Sequence, residues 1–305
     1  MNKIAITTGD PNGIGAEITI KALNILKLPK DSVVIISNNE ILNYYGNLDI
    51  DYEIVNIPYD KKDIIPGEVT KEAGEFSYKS LLRVCTIKPR AIVTAPVAKN
   101  SLHLAGHIFN GQTEVLQKYL AHDNQLAEML FVAGNFRVLL LTRHCALKEV
   151  SLTEKVVIEK IQNLVKTFRN NFGIENPKFA LCGFNPHAGE DGILGTEERD
   201  ILIPAVKKLN EQGINITMPK PSDTLFVAAA QHYYKNEKDE YDCYIANYHD
   251  QGLIPIKTVA GAKTVNTTIG LDIIRTSPGH GTAFDIAGKN IADPTGMIEA
   301  IKQVL

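Results

Sequence analysis

Short apolar runs alternate with longer stretches of helical period from one end of the chain to the other, and this alternation constrains the fold more than any single motif. The runs at 3–7, 33–37, 52–57, 91–94, 128–132, 137–141, 178–182, 215–218, 241–246 and 264–268 read as strands. Most are nearly all apolar, as strands of a parallel sheet covered on both faces should be. Segments 14–27, 70–88, 113–122, 223–236 and 294–304 have the helical period. Ser151-Leu152-Thr153-Glu154 reads as a capping box, with Val157, Ile158, Ile161, Leu164, Val165 and Phe168 on one stripe behind it. Thr196 caps another helix, which Gly213 ends. Alternating strands and helices predict βαβ units and a largely parallel α/β fold.

At 305 residues the chain exceeds one ordinary domain, so two domains or one large α/β unit are expected. No composition shift marks a seam, and a chain that crosses between domains more than once would leave none. The expected division is 1–138 plus 270–305 for one α/β domain and 139–269 for the other. A net charge of −3 gives no electrostatic case for nucleic acid or an anionic membrane. No apolar stretch approaches a membrane span, and the first residues lack a signal-peptide pattern, so a cytoplasmic protein is expected. Cys85, Cys145, Cys182 and Cys243 are far apart in apolar surroundings and read as buried free thiols.

Chemistry-bearing residues cluster just past strand ends, where α/β enzymes place their sites. The stretch 245–257 delivers Tyr248, His249 and Asp250 into a glycine-containing bend and then Lys257. His144 and His187 follow the runs 137–141 and 178–182 in the same way. Strand ends of one parallel sheet share an edge, so three such histidines can meet at one divalent ion, with coordination positions left open for catalysis. Zn²⁺, Co²⁺ and Mn²⁺ all suit such donors. The turn Thr8-Gly9-Asp10-Pro11-Asn12-Gly13-Ile14-Gly15 follows a strand and opens a helix, which allows an anion cradle or a tight structural turn. Ile18 stands where a dinucleotide fingerprint needs its third glycine, so that fingerprint is not supported. Thr113 reads either as a helix N-cap or as a phosphate contact. Lys257, Asn266 and Arg275 would suit a small anionic substrate, or would be ordinary surface residues.

Gly-Asp-Pro-Asn-Gly-Ile-Gly at 9–15, Gln-Thr-Glu at 112–114, Asn-Pro-His-Ala-Gly-Glu at 185–190, Asp-Thr-Leu-Phe at 223–226, Tyr-His-Asp-Gln-Gly at 248–252 and Arg-Thr-Ser-x-x-His-Gly-Thr-Ala at 275–283 follow in order. In these motifs the chain resembles the 4-hydroxythreonine-4-phosphate dehydrogenase family. The resemblance implies two α/β domains flanking a cleft, an isocitrate/isopropylmalate dehydrogenase-like fold, and a homodimer that shares its metal site across the interface. It implies NAD as hydride acceptor, held by residues the sequence does not identify, and a divalent metal (Zn, Co, Mn or Mg) on His144, His187 and His249. Gln112, Thr113, Lys257, Asn266 and Arg275 correspond to substrate contacts. Beyond what the resemblance implies, Lys257, Asp250 and Asp223 are expected as the catalytic groups, with Asp250 or Asp223 orienting or relaying protons.

The implied activity is oxidation with decarboxylation of 4-phosphohydroxy-L-threonine to 3-amino-2-oxopropyl phosphate, a step of pyridoxal 5'-phosphate biosynthesis. Gln112 departs from the family, which commonly has histidine there. Glutamine cannot carry charge, so another phosphorylated hydroxy acid, such as 4-phospho-threonate or 4-phospho-erythronate, is the alternative substrate. A phosphate acyltransferase or a non-catalytic binding protein of the same fold would be a different class, and neither needs three histidines.

Overall fold

The computed structural model describes residues 2–122 and 125–305. The chain begins with β1 (Ile4–Thr7), α1 (Gly15–Leu26), β2 (Val33–Ser37), α2 (Asn39–Tyr45), β3 (Glu53–Asn56), α3 (Lys71–Thr86), β4 (Ala91–Thr94), α4 (Lys99–Leu104) and α5 (Gln112–Leu120). It continues through β5 (Glu128–Ala133), β6 (Phe136–Leu140), α6 (Glu154–Phe172), β7 (Lys178–Leu181), α7 (Ile203–Glu211), β8 (Asn215–Ile216), α8 (Ser222–Lys235), β9 (Cys243–Ala246) and α9 (His249–Ala260). It ends with β10 (Val265–Ile269), β11 (Arg275–Pro278) and α10 (Thr295–Lys302).

Two compact α/β units result: Met1–Ala127 with Val265–Leu305, and Glu128–Thr264. These seams differ from the expected 138/139 and 269/270, and strand pairing is the reason. β5 zips antiparallel onto β6, with Leu130 opposite Leu139, so the whole hairpin belongs to the second unit. β10 zips antiparallel onto β11, with Thr268 opposite Arg275, so residues 265–269 belong to the first. An antiparallel pair joined by a short turn buries its backbone groups together and is not divided.

In the first unit the strands run β3-β2-β1-β4-β11-β10, parallel except for the last pair. β1, β2 and β4 are buried at every position, which the continuous apolar runs required. β11 was not legible as a strand. Arg-Thr-Ser-Pro has low strand character, yet all four residues are buried because β4 and β10 flank it.

The second unit orders its strands β5-β6-β9-β7-β8. Its core gathers Phe136, Phe226 and Tyr244, with ring centroids 5.6–6.2 Å apart. α6 is capped by Thr153, whose side chain accepts from the Val156 N–H at 3.3 Å, so the cap is Thr153 rather than Ser151. Among the thiols, Cys182 and Cys243 are buried, but Cys145 is exposed because it lies in the loop beyond β6. No helix among the described residues is long and apolar enough to cross a membrane.

The segment after β9 is a helix rather than a bend. Gly252 lies inside α9, and a Cβ there would stand 2.7 Å from Leu140, 2.8 Å from Val138 and 3.0 Å from Ala246. The glycine therefore lets α9 lie directly on β6 and β9. Gly252→Ala should destabilise the second unit by about 1–3 kcal/mol, through overpacking of side chains locked in the core. A lower urea midpoint at unchanged m-value is the expected readout, and an unchanged midpoint would show that the helix is free to move away.

Candidate functional site

His144, His187 and His249 all belong to the second unit, and each follows one of three neighbouring parallel strands, β6, β7 and β9. The structure brings two of them together. The His144 and His249 rings lie with centroids 5.5 Å apart. Two imidazoles on one tetrahedral ion, at Zn–N distances of roughly 2.0–2.1 Å, would put their centroids about 5 Å apart. The pair therefore fits a shared metal ion.

His187 does not complete that pair. Among the described residues no group of three His, Cys, Asp or Glu side chains is gathered as a metal site. Its connection after β7 is longer than those after β6 and β9, and residues 187–191 carry φ between 44° and 82°. Four of those five residues are not glycine, and left-handed backbone costs such residues about 1–2 kcal/mol each. The buried carboxylate of Glu198 holds this segment, accepting from the Asn185 N–H at 2.7 Å and the Asn185 amide at 2.9 Å. His187 is exposed on the held loop.

His249 opens α9, and its Nδ1 lies 2.7 Å from Asp250 Oδ1. That contact orients the ring and leaves Nε2 as the free donor, the usual arrangement of a metal-ligating histidine with a carboxylate behind it. Asp250 is itself exposed, so this contact matters for orientation more than for stability.

Two residues whose roles were not legible in the sequence position this edge. Asn247 donates its amide to the Cys182 carbonyl at 2.9 Å, and its backbone N–H donates to Gln251 Oε1 at 2.7 Å. Gln251 in turn donates to the Gly183 carbonyl at 2.7 Å and the Ser222 hydroxyl at 2.9 Å. Together they tie the ends of β7 and β9 to the starts of α8 and α9. Amide residues just after an apolar run were the available signal. Asp223 is exposed in the first turn of α8. Lys257 lies two turns beyond His249 on α9, and packing holds its ammonium below the ordinary lysine range although the residue is exposed.

The first unit carries Gln112, Thr113, Asn266 and Arg275. Arg275 is 2% exposed, and among the described residues it forms no ion pair. Its Nε and Nη2 donate to Thr94 Oγ1 at 2.9 and 2.6 Å, and Nη1 donates to Thr268 Oγ1 at 3.3 Å. Burial pushes the guanidinium pKa down to about 10, with Glu114 pulling weakly the other way. A guanidinium has five N–H donors, so one stays available on each Nη. Thr113 is buried at the second position of α5 and is not its cap. Gly111 is, with no side-chain hydrogen bond closing that helix end.

The 8–15 turn resolves as structural. The N–H groups of Asp10, Asn12, Gly13 and Ile14 are taken by Pro96 O, Asp10 Oδ1, Asp10 O and Thr282 O, so none of these four is left for a phosphate. A Cβ on Gly9 would meet Pro96 O at 2.2 Å, and one on Gly15 would meet Thr8 O at 2.1 Å. Both glycines serve close packing.

Residues 3–304 match the family described as pyridoxal phosphate biosynthetic protein PdxA. The chain belongs to this family. It is 40% identical to the 4-hydroxythreonine-4-phosphate dehydrogenase of Sulfurihydrogenibium sp., over 99% of this chain and 97% of that one. It is 35% identical to a putative D-threonate 4-phosphate dehydrogenase of Oceanobacillus iheyensis, over 99% and 96%. The 4-hydroxythreonine-4-phosphate dehydrogenase structure from Klebsiella pneumoniae matches with a TM-score of 0.86 at 33% identity, covering 99% of this chain and 97% of that one. Isocitrate dehydrogenase of Methylococcus capsulatus shares the fold alone, with a TM-score of 0.55 at 15% identity, covering 100% and 85%.

A buried cation with open donors is stabilised by any anion that reaches it. Inorganic phosphate should raise the melting temperature of the native protein, because a ligand that binds only the folded state stabilises it by mass action. The same titration of Arg275→Met should show no such rise. An equal shift in both proteins would place the anion elsewhere.

Proposed function

We propose that this chain is a metal-dependent, NAD-linked dehydrogenase acting on 4-phosphohydroxy-L-threonine in pyridoxal 5'-phosphate biosynthesis. The secondary hydroxyl is oxidised to a ketone, with the hydride leaving to NAD and the proton to a base. The resulting β-keto acid loses CO₂ to give 3-amino-2-oxopropyl phosphate. Membership of the PdxA family supports the reaction. The observation that carries the metal dependence is the His144–His249 pair with Asp250 on the outer nitrogen of His249.

His144 and His249 would hold a divalent ion, which would supply Lewis-acid chemistry to the substrate hydroxyl and to the charge that develops on decarboxylation. The chain's own residues do the rest. Arg275 holds an anionic end of the substrate through its free Nη donors, with Thr113, Asn266 and Lys257 as further contacts. Lys257, whose ammonium is held below the ordinary lysine range by desolvation, holds or returns a proton, and Asp223 is the second candidate for that role. Asp250 orients His249 through its Oδ1. The third histidine, His187, comes from a second copy of the chain, which makes the enzyme a homodimer with shared metal sites. A phosphorylated hydroxy acid such as 4-phospho-threonate is the second reading, favoured by Gln112 and by the Oceanobacillus relative.

NADH formation from 4-phosphohydroxy-L-threonine should need an added divalent metal and stop on chelation; turnover that persists without metal would exclude the mechanism. His187→Ala and His249→Ala should each be inactive, while the two refolded together regain activity through dimers with one intact site. An inactive mixture would mean that one chain supplies all three ligands. Asp250→Ala should weaken zinc binding about 10–100-fold, measured by competition with a chromogenic chelator. Unchanged affinity would remove Asp250 from the metal site.

A further inference from the structure

Gln112 is the first residue of α5, and its side chain is fixed by one contact. Nε2 donates to the Ala95 carbonyl at 3.1 Å. Swapping the amide's ends would set oxygen against oxygen, so Nε2 is committed to that carbonyl and Oε1 points away from it. Oε1 is buried and has no hydrogen-bond partner among the described residues. Glutamine here offers an acceptor, although its amide could equally have offered a donor.

The same strand end holds the buried cation. Arg275 is bound to Thr94, the residue before Ala95, so Gln112 and Arg275 are anchored to consecutive positions. Thr268 sits opposite Arg275 in the β10–β11 pair, and Asn266 lies two residues before it on the same strand face. Asn266 Oδ1 is a further buried oxygen without a partner among the described residues. A cation that calls for an anion and a committed acceptor that calls for a donor therefore share one neighbourhood.

We propose that Gln112 makes this subsite select an anionic group that carries its own hydrogen-bond donor, an O–H or N–H beside the charge, and reject anionic groups that carry none. The inference rests on the reading of Arg275 as the holder of an anionic end of the substrate. Oε1 is already buried without a partner among the described residues, so a ligand that brings a donor relieves a cost that a ligand without one leaves standing. A phosphomonoester would then be taken as its protonated monoanion, or with a neighbouring hydroxyl or ammonium turned toward Gln112. Sulfate esters and sulfonates of the same shape would be refused. The selection separates ligands by protonation, where charge alone would not.

Inorganic phosphate and sulfate provide the test, because phosphate keeps an O–H at neutral pH and sulfate has none. Calorimetric titration of the native protein should show phosphate binding at least about tenfold more tightly than sulfate, the ratio that roughly 1.4 kcal/mol represents. Gln112→Met should bring the two anions to equal affinity, and Gln112→His, which presents a donor, should favour sulfate relative to the native protein. Arg275→Met should lose both. If the native protein binds both anions equally and both need Arg275, the selection is wrong while the anion site stands. If binding is the same in Arg275→Met, the site and the selection both fall. A phosphate preference that persists in Gln112→Met also overturns the proposal.

Discussion

Burial of parallel strands on both faces is the constraint from which the rest of this structure follows. β1, β2, β4 and β9 are buried at every position, and the polar side chains of the first three, Thr7, Ser37 and Thr94, stand at the last position of their strands. Polar chemistry is displaced to the strand ends, where the chain turns and backbone groups need partners. Asn247 and Gln251 meet that need in the second unit by bonding the carbonyls of Cys182 and Gly183. The same bonds place His249 at the start of α9, so backbone satisfaction and site geometry are one arrangement.

The first unit handles a harder case, a guanidinium inside the protein. Two threonine hydroxyls solvate Arg275 without neutralising it, and three of its donors are used on them. Desolvating a charge without a counter-ion is unfavourable, and the lowered pKa reflects that. Structural stability alone gives no reason to retain it, since an apolar residue would fill the place at less cost. A ligand that supplies the missing charge does give one. The start of α5, which no side chain caps, and the fixed acceptor of Gln112 belong to the same unit.

The features that were legible in the sequence are those set by neighbours along the chain. The apolar runs at 33–37 and 91–94 coincide with β2 and β4, because a strand covered on both faces is apolar along most of its length. The histidines past runs 137–141 and 241–246 could be paired on paper, since parallel neighbours end on one edge, and β6 and β9 do pair. β11 could not be read, because Arg-Thr-Ser-Pro becomes a strand only between β4 and β10. His187 could not be separated from the other two, because its place depends on left-handed backbone held by Glu198 from beyond the loop.

By itself the sequence determined the α/β class and the family, since these depend on residue type, motif order and local period. Tertiary structure decided where the two units divide, because antiparallel pairing ties β5 to β6 and β10 to β11 across any composition boundary. It decided that the 8–15 turn is packed rather than open, because partners at Pro96 and Thr282 are remote in sequence. It also decided which end of the Gln112 amide stays uncommitted, since only the placement of Ala95 gives its nitrogen a carbonyl to meet.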